Sequence, residues 1–204
     1  MTREPSRNPL YEAWRPGFRT GDLLAFGGKS RISRGIKALT RSKVSHVALM
    51  LREPLVPGCG DTVWIVESTT EVSLPDAIHG ELLKGVQIHR LSQRIDSYDG
   101  EAWWWPLPER HHETPGKERM IAWLLQTHAK RVKYDSWQAI GAGVDFWDAF
   151  GGRNNPDFSL LFCSELVLKG FQEWGLLDPA LNPSEEAPGD CFSLCDCPCE
   201  QVLK

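Results

Sequence analysis

The chain has 204 residues, of which 25% are charged and 41% are apolar, and its net charge is -4. This length suits one domain with a core large enough to fold without disulfides. The slight acidic excess argues against a general nucleic-acid-binding surface, which would be basic. No apolar run approaches the roughly 20 residues that cross a bilayer, and the polar start of the chain lacks the apolar segment of a secretory signal. We therefore expect a cytoplasmic protein without an integral membrane segment.

The first elements in chain order are a lead-in, a strand and a basic helix. Residues 1–17 are polar and carry three prolines, which predicts an extended lead-in. The apolar run 23–26 lies between glycine turn signals and predicts a buried strand. Ser30 is a favourable N-cap for a helix that runs to about Arg41. The basic side chains of this helix fit either a solvated face or an anion-binding surface beside an active site.

Two further strands carry the first polar residues of interest. Residues 44–51 and 62–68 predict an antiparallel pair joined by a long loop. Because side chains alternate along a strand, His46 shares a face with Ala48. By the same alternation, Glu67 shares a face with Ile65 on the second strand. Weaker strand signals lie at residues 72–74, 86–91 and 102–107.

The second half of the chain has helical patterns. Thr114 followed by Pro115 predicts the start of a helix that ends near Arg131. Residues 135–146 are a further helical candidate. The last predicted helix begins near Cys163 and ends before Gly175, a residue type that often terminates helices.

Cys163, His46 and Glu67 are the residue types of a thiol active site. A cysteine at a helix N-terminus is available as a thiolate near neutral pH, because the end of the helix stabilises an anion. His46 has small neighbours, Ser45 and Ala48, that leave room for a partner. Glu67 is placed to hold the imidazole in one tautomer, the orienting role of a triad. Any one of these residues alone is ordinarily structural.

Together these positions resemble a known family. The segments Ser45–Leu49, Val66–Ser68, Tyr134–Asp135 and Phe162–Val167 are similar to the YiiX/YebB-like permuted NlpC/P60 proteins. The resemblance implies an α+β, circularly permuted papain-like fold, with a small antiparallel sheet packed against helices. It covers roughly residues 18–183. From the sequence we expect a single domain over 1–186, followed by a cysteine-rich tail, 187–204, that the resemblance does not cover.

The family resemblance also implies a function. It predicts a bacterial cysteine peptidase or amidase that cleaves a peptide or cell-wall-type amide through a thioester and needs no cofactor. Cys163 would be the nucleophile, His46 the base and Glu67 the orienting residue. Tyr134, Ser45 and Ser164 would contact substrate, and backbone N–H groups at the start of the Cys163 helix would stabilise the oxyanion.

Two other functions use the same core. Lecithin:retinol-acyltransferase-like enzymes transfer an acyl group with the same Cys–His pair, and an apolar groove lined by tryptophans would favour an acyl-lipid substrate. A polar groove beside the basic helix would favour a peptide or cell-wall fragment. A catalytically inactive binding protein of the same fold is the third reading.

Two sequence features are not accounted for by the resemblance. Trp103, Trp104 and Trp105 are consecutive, and alternation predicts that at least one ring lies at the surface or lines a groove. The tail carries four cysteines, which fit a structural role or, as a weaker alternative, a metal site. These are Cys191, Cys195, Cys197 and Cys199.

Overall fold

A six-stranded antiparallel sheet organises the chain. The computed structural model describes residues 6–59, 62–131, 159–183 and 186–204. In spatial order the sheet is β4-β3-β2-β1-β5-β6, and every neighbouring pair is antiparallel. The strands are β1 (Leu23–Gly28), β2 (His46–Leu51), β3 (Trp64–Thr69), β4 (Gly85–Arg90), β5 (Gly100–Trp105) and β6 (Gln201–Val202).

Helices cover both faces of this sheet. In the described part of the chain they are α1 (Pro9–Trp14), α2 (Arg31–Thr40), α3 (Leu91–Ser97), α4 (Glu109–His112), α5 (Lys117–Ala129), α6 (Ser159–Trp174) and α7 (Asp190–Leu194). One core lies between the sheet and the pair α5 and α6. The other lies between the opposite face and side chains of α1, α3 and the adjoining loops.

No helix in the described ranges is long and apolar enough to span a bilayer.

Most of the strong local signals correspond to observed elements. The strand at 23–26 is part of β1, and the predicted hairpin is the antiparallel pair β2–β3. Ser30 caps α2, because its hydroxyl accepts a hydrogen bond from the Ser33 amide. Gly175 ends α6 with a φ of +90°, a left-handed conformation that favours glycine.

Two local predictions differ from the structure. Residues 9–14 form α1 where an extended lead-in was expected, because Asn8 caps the helix and Pro9 stands in its first turn. Residues 72–74 were expected to be a strand but lie in a loop. That loop turns at Asp76, whose amide donates to the Glu81 carbonyl and so reverses the chain before β4. The candidate helix at 135–146 lies outside the described residues.

The tryptophan run packs into both cores. Trp103 and Trp104 are 5% and 7% exposed and point to opposite faces of β5. Trp104 donates its Nε1–H to Asp22 Oδ2 at 2.9 Å, and Trp105 stacks on Phe192 at 4.3 Å. Trp105 is half-buried, so of the three rings it is the one nearest to the predicted place at the surface or in a groove.

Residues 187–204, the predicted cysteine-rich tail, pack against the rest of the chain. Cys191, Phe192 and Cys195 on or beside α7 are buried in the core under β5 and α6. The end of the chain pairs with the sheet as β6, opposite Trp103 and Trp104. Sequence periodicity could not predict these two elements, because α7 has only five residues and β6 has two.

Candidate active site

The sheet brings His46 and Glu67 together on one face. Leu49 pairs with Val66 across β2 and β3, so continuing that register sets Ala48 opposite Glu67 and His46 diagonally across from it. His46 Nε2 lies 2.7 Å from Glu67 Oε2. Because a carboxylate only accepts, Nε2 carries the proton and donates it. Nδ1 is then the ring nitrogen that can accept a proton from another group.

Glu67 is fully buried and is charged in spite of that burial. Arg94 of α3 donates Nε–H to Glu67 Oε1 at 2.7 Å, and one of its terminal nitrogens lies 3.0 Å from Glu71 Oε2. Burial opposes ionisation of the Glu67 carboxyl, but Arg94 and then His46 outweigh it and hold its pKa well below the usual range. Glu67 is therefore a permanent anion beside the imidazole.

Residues of β4 complete the surroundings of Glu67. His89 Nε2 lies 3.8 Å from Glu67 Oε1 and donates to Gln87 Oε1 at 2.8 Å. Gln87 is opposite Glu67 in the β3–β4 ladder, and its amide nitrogen donates to the Leu83 carbonyl at 2.6 Å. The Glu67 side chain is thus held from two strands and one helix.

Cys163 meets the other side of the His46 ring. The Cys163 side chain is fully buried on α6 and hydrogen-bonds the imidazole. Burial disfavours the charged imidazole, but Cys163 and then Glu67 outweigh it and raise the pKa of His46 to about 9. The arrangement is Cys163–His46–Glu67 in space, with the imidazole between a thiol and a carboxylate and 12% of its side chain exposed.

Cys163 is further into its helix than expected. The helix begins at Ser159, so Cys163 is its fifth residue rather than its first. Only the first four N–H groups of a helix lack an intrahelical partner, and the effect of the helix dipole falls off within the first turn. The Cys163 amide is therefore not among the unpaired amides that were expected to stabilise an oxyanion.

A cleft of about 440 Å³ reaches this constellation at His46. Its lining includes Ser45, His46 and Arg94, together with Lys29, Ser30 and Ser33 at the start of α2. The other lining residues are Gly28, Ile36, Thr69, Thr70, Glu71, Tyr98 and Asp99. Most of these residues are serine, threonine or charged, although apolar atoms make up more than half of the exposed lining, and none of the three tryptophans of β5 belongs to it.

The three predicted substrate contacts have different positions. Ser45 lines the cleft, accepts from the Gly28 amide at 3.1 Å and donates to the Phe26 carbonyl at 3.2 Å. Ser164 is buried and donates to the Glu186 carbonyl at 2.7 Å, which ties α6 to the segment before α7. Tyr134 lies outside the described residues.

Arg94 and Tyr98 are site residues that the sequence reasoning missed. The Arg94 guanidinium lies 5.1 Å and 5.0 Å from the ring centroids of Phe26 and Tyr98. Burial, opposed by Arg94, raises the pKa of the Tyr98 hydroxyl. A weak signal existed, because Arg94 falls on the same helical face as Leu91 and Ile95. An arginine on an apolar face implies a buried carboxylate partner.

The tail cysteines do not converge on one point. Burial raises the pKa of Cys191 and Cys195 and raises that of Cys197 to about 12, so these thiols stay protonated at neutral pH. Cys199 is exposed. In the described ranges one set of side chains is grouped closely enough to share a metal ion, and it contains none of these cysteines. The geometry thus favours their structural role.

The fold of this chain is similar to that of solved structures. No protein-family model matches the sequence, and no curated protein matches it. Among solved structures, the chain is similar to the crystal structure of the metalloprotein YiiX from Escherichia coli O157:H7, a DUF1105 protein. The TM-score is 0.47 at 16% sequence identity, over 91% of this chain and 96% of the other. The function of this chain must therefore follow from its own side chains.

Proposed function

We propose that this protein is a cysteine hydrolase that cleaves an amide bond, of a peptide or a cell-wall fragment, through a thioester on Cys163. The observation that carries the proposal is the His46 imidazole, which hydrogen-bonds Glu67 through Nε2 at 2.7 Å and Cys163 on its other side. The α+β architecture fits a circularly permuted papain-like core, with His46 on the sheet and Cys163 on the packed helix.

Each triad member has a defined role in this reaction. His46 Nδ1 takes the Cys163 proton, and the thiolate attacks the carbonyl carbon of the amide. When the tetrahedral adduct collapses, the C–N bond breaks and His46 returns the proton to the leaving amine. Water then attacks the thioester while His46 accepts its proton, and Cys163 leaves as thiolate. Glu67 keeps the ring oriented and stabilises its charged form throughout.

The hydrogen-bonding groups of the cleft favour an amide substrate. Trp103 and Trp104 are buried in the cores, and neither they nor the half-buried Trp105 line the cleft. The lining contains serine, threonine and charged side chains. The polar groups of a peptide or sugar-linked amide would find hydrogen-bond partners there.

The first test is the rate of iodoacetamide alkylation at each cysteine as a function of pH, mapped by mass spectrometry. Exposed Cys199 is the internal reference for an unassisted thiol. We expect Cys163 to react faster than Cys199 below pH 8. In His46→Ala the Cys163 rate should fall at least about tenfold, because unassisted thiols are only a few per cent ionised at pH 7.

His111→Ala is the matched control, since His111 lies on α4 and does not line the cleft. It should leave the Cys163 rate unchanged. If Cys163 reacts no faster than Cys199 and is insensitive to His46→Ala, the pair is not activated, and the inactive binding-protein reading replaces this one. If the pair is activated but purified protein turns over acyl esters and not peptide amides, the acyltransferase reading replaces the amidase.

A further inference from the structure

A second cluster of ligating side chains lies where the loop before β4 meets α5. Asp76, His79 and His128 each offer one ligand atom, and these atoms lie within 4.8 Å of one another. None of the three lines the cleft beside His46. Asp76 and His128 are buried, and His79 keeps 16% of its side chain exposed. The triad makes no use of this cluster.

We propose that Asp76, His79 and His128 bind one divalent transition-metal cation of the Zn²⁺ class. Two imidazoles and one carboxylate form a donor set that suits such ions, and they contribute a single negative charge. Three protein ligands leave a coordination position for water. This site is independent of the proposed hydrolase.

The Asp76–His128 contact is already close to the geometry of a metal site. His128 Nε2 donates to Asp76 Oδ2 at 2.8 Å. A cation replaces the proton on this nitrogen and bonds both atoms. Because Zn–N and Zn–O bonds are about 2.0–2.2 Å long, ligand atoms of one ion lie roughly 3–4 Å apart. The pair therefore needs to open from 2.8 Å by about 0.2–1.2 Å.

Hydrogen bonding does not account for the position of the His79 imidazole. Its Nε2 is buried and has no hydrogen-bond partner, and its Nδ1 lies 4.0 Å from Asp76 Oδ1. An unsatisfied buried polar nitrogen costs about 1–3 kcal/mol. The ring faces His128 at a centroid distance of 4.5 Å. Nδ1 is the ring nitrogen that lies near the Asp76 carboxylate, so it is placed to be the third ligand of an ion held by Asp76 and His128. The partly exposed side chain of His79 gives the ion a route in.

The carboxylate is held in place by the backbone. Asp76 Oδ1 accepts from the amides of Ile78 and His79, and Oδ2 accepts from the amide of Ile88 at 2.7 Å. Such contacts orient a ligating carboxylate before the ion arrives. A purely structural reading explains Asp76 and His128 as an anchor between the loop, β4 and α5. That structural role does not account for the position of the His79 ring.

The test is titration of the full-length, chelator-treated protein with Zn²⁺ by calorimetry, and with Co²⁺ by visible absorption. We expect one equivalent to bind, with the visible bands of nitrogen and oxygen ligation and no intense near-ultraviolet thiolate band. His79→Gln should weaken binding at least about tenfold, since even residues that only support a ligand cost 10–100-fold. His79 is the chosen variant because its ring nitrogens make no hydrogen bond in the described part of the chain. Asp76→Ala would instead remove a carboxylate that accepts hydrogen bonds from the loop, β4 and α5.

His111→Gln is the matched control, because His111 also has a buried Nε2 without a hydrogen-bond partner. It should bind Zn²⁺ as the wild type does. Zn²⁺ should also raise the Tm of the wild type and not that of His79→Gln, since an ion that binds only the native state stabilises it. Three results would each overturn the proposal: no binding at micromolar Zn²⁺, unchanged binding in His79→Gln, or a thiolate band, which would place the ion on the cysteines.

Discussion

Two buried histidine–carboxylate pairs in this molecule have nearly the same geometry and different surroundings. His46 donates to Glu67 at 2.7 Å, and His128 donates to Asp76 at 2.8 Å. Glu67 receives its remaining contacts from side chains, above all Arg94, whereas Asp76 receives backbone N–H groups. His46 also contacts the Cys163 thiol and lines a cleft, whereas the His128 ring faces the His79 ring.

The difference shows that a histidine–carboxylate pair does not by itself make a catalytic site. The carboxylate fixes which ring nitrogen carries the proton in both cases. The other groups around each ring then decide the chemistry. Beside a nucleophile and an open cleft, the ring is suited to move protons. Beside a second imidazole, it is suited to anchor the fold or to hold a cation.

The largest expected effect on stability comes from breaking the charge pairing at Glu67. Glu67→Gln leaves the buried Arg94 beside a neutral amide, with Glu71 at 3.0 Å as its remaining carboxylate. Breaking a buried ion pair costs about 3–5 kcal/mol of unfolding free energy, and the contact with Glu71 keeps the expected loss at the lower end of that range. Urea denaturation measures this. The alkylation rate of Cys163 should fall less than in His46→Ala, because the base remains and only its orientation weakens.

The double variant Glu67→Gln with Arg94→Met separates the two roles of Glu67. Removing the Arg94 guanidinium should restore most of the lost unfolding free energy, while the slow alkylation of Cys163 should persist. Full recovery of the alkylation rate would show that Glu67 serves the fold alone. No recovery of stability would show that Arg94 is not the main partner.

A smaller effect is expected at the other pair. Asp76→Asn keeps one acceptor oxygen and turns an amide N–H₂ toward two donors, because each carboxylate oxygen of Asp76 accepts two hydrogen bonds. In metal-free buffer we expect an unfolding free energy lower by about 1–3 kcal/mol, less than for Glu67→Gln. A loss as large as that of Glu67→Gln would mean that the backbone contacts of Asp76 are worth as much as the ion pair of Glu67.

The smallest expected effect is the pH dependence of the unfolding free energy that comes from His46. Its pKa is raised from 6.5 to about 9, so the stability it contributes is complete below pH 6.5 and is lost as the pH rises through about 9. The difference in unfolding free energy between wild type and His46→Gln should shrink over that window.

Cys163→Ala sharpens the same test. Of the groups that raise the pKa of His46, Cys163 contributes most, so the pKa in this variant should fall below about 9. Titration of the imidazole by nuclear magnetic resonance measures it. An unchanged pKa would show that Glu67 alone sustains the charge.

The local pattern of the chain was sufficient for the placement of His46 and Glu67. Two adjacent strands with period-two alternation put both on the same face, and a hairpin pairing puts them near each other. Ser30 and Gly175 marked helix ends through side-chain capping and a left-handed φ, both of which depend on the residue itself. The role of Cys163 as nucleophile stays a prediction until its reactivity is measured.

The sequence by itself determined the residues that alternate, cap and terminate, because those properties depend on near neighbours along the chain. Only the tertiary structure decided which buried charges meet. Arg94 reaches Glu67 across 27 positions, and His128 reaches Asp76 across 52. The same holds for the buried tryptophans of β5 and the cysteines of α7. Their exposure depends on what covers each face of the sheet, and no local periodicity encodes that.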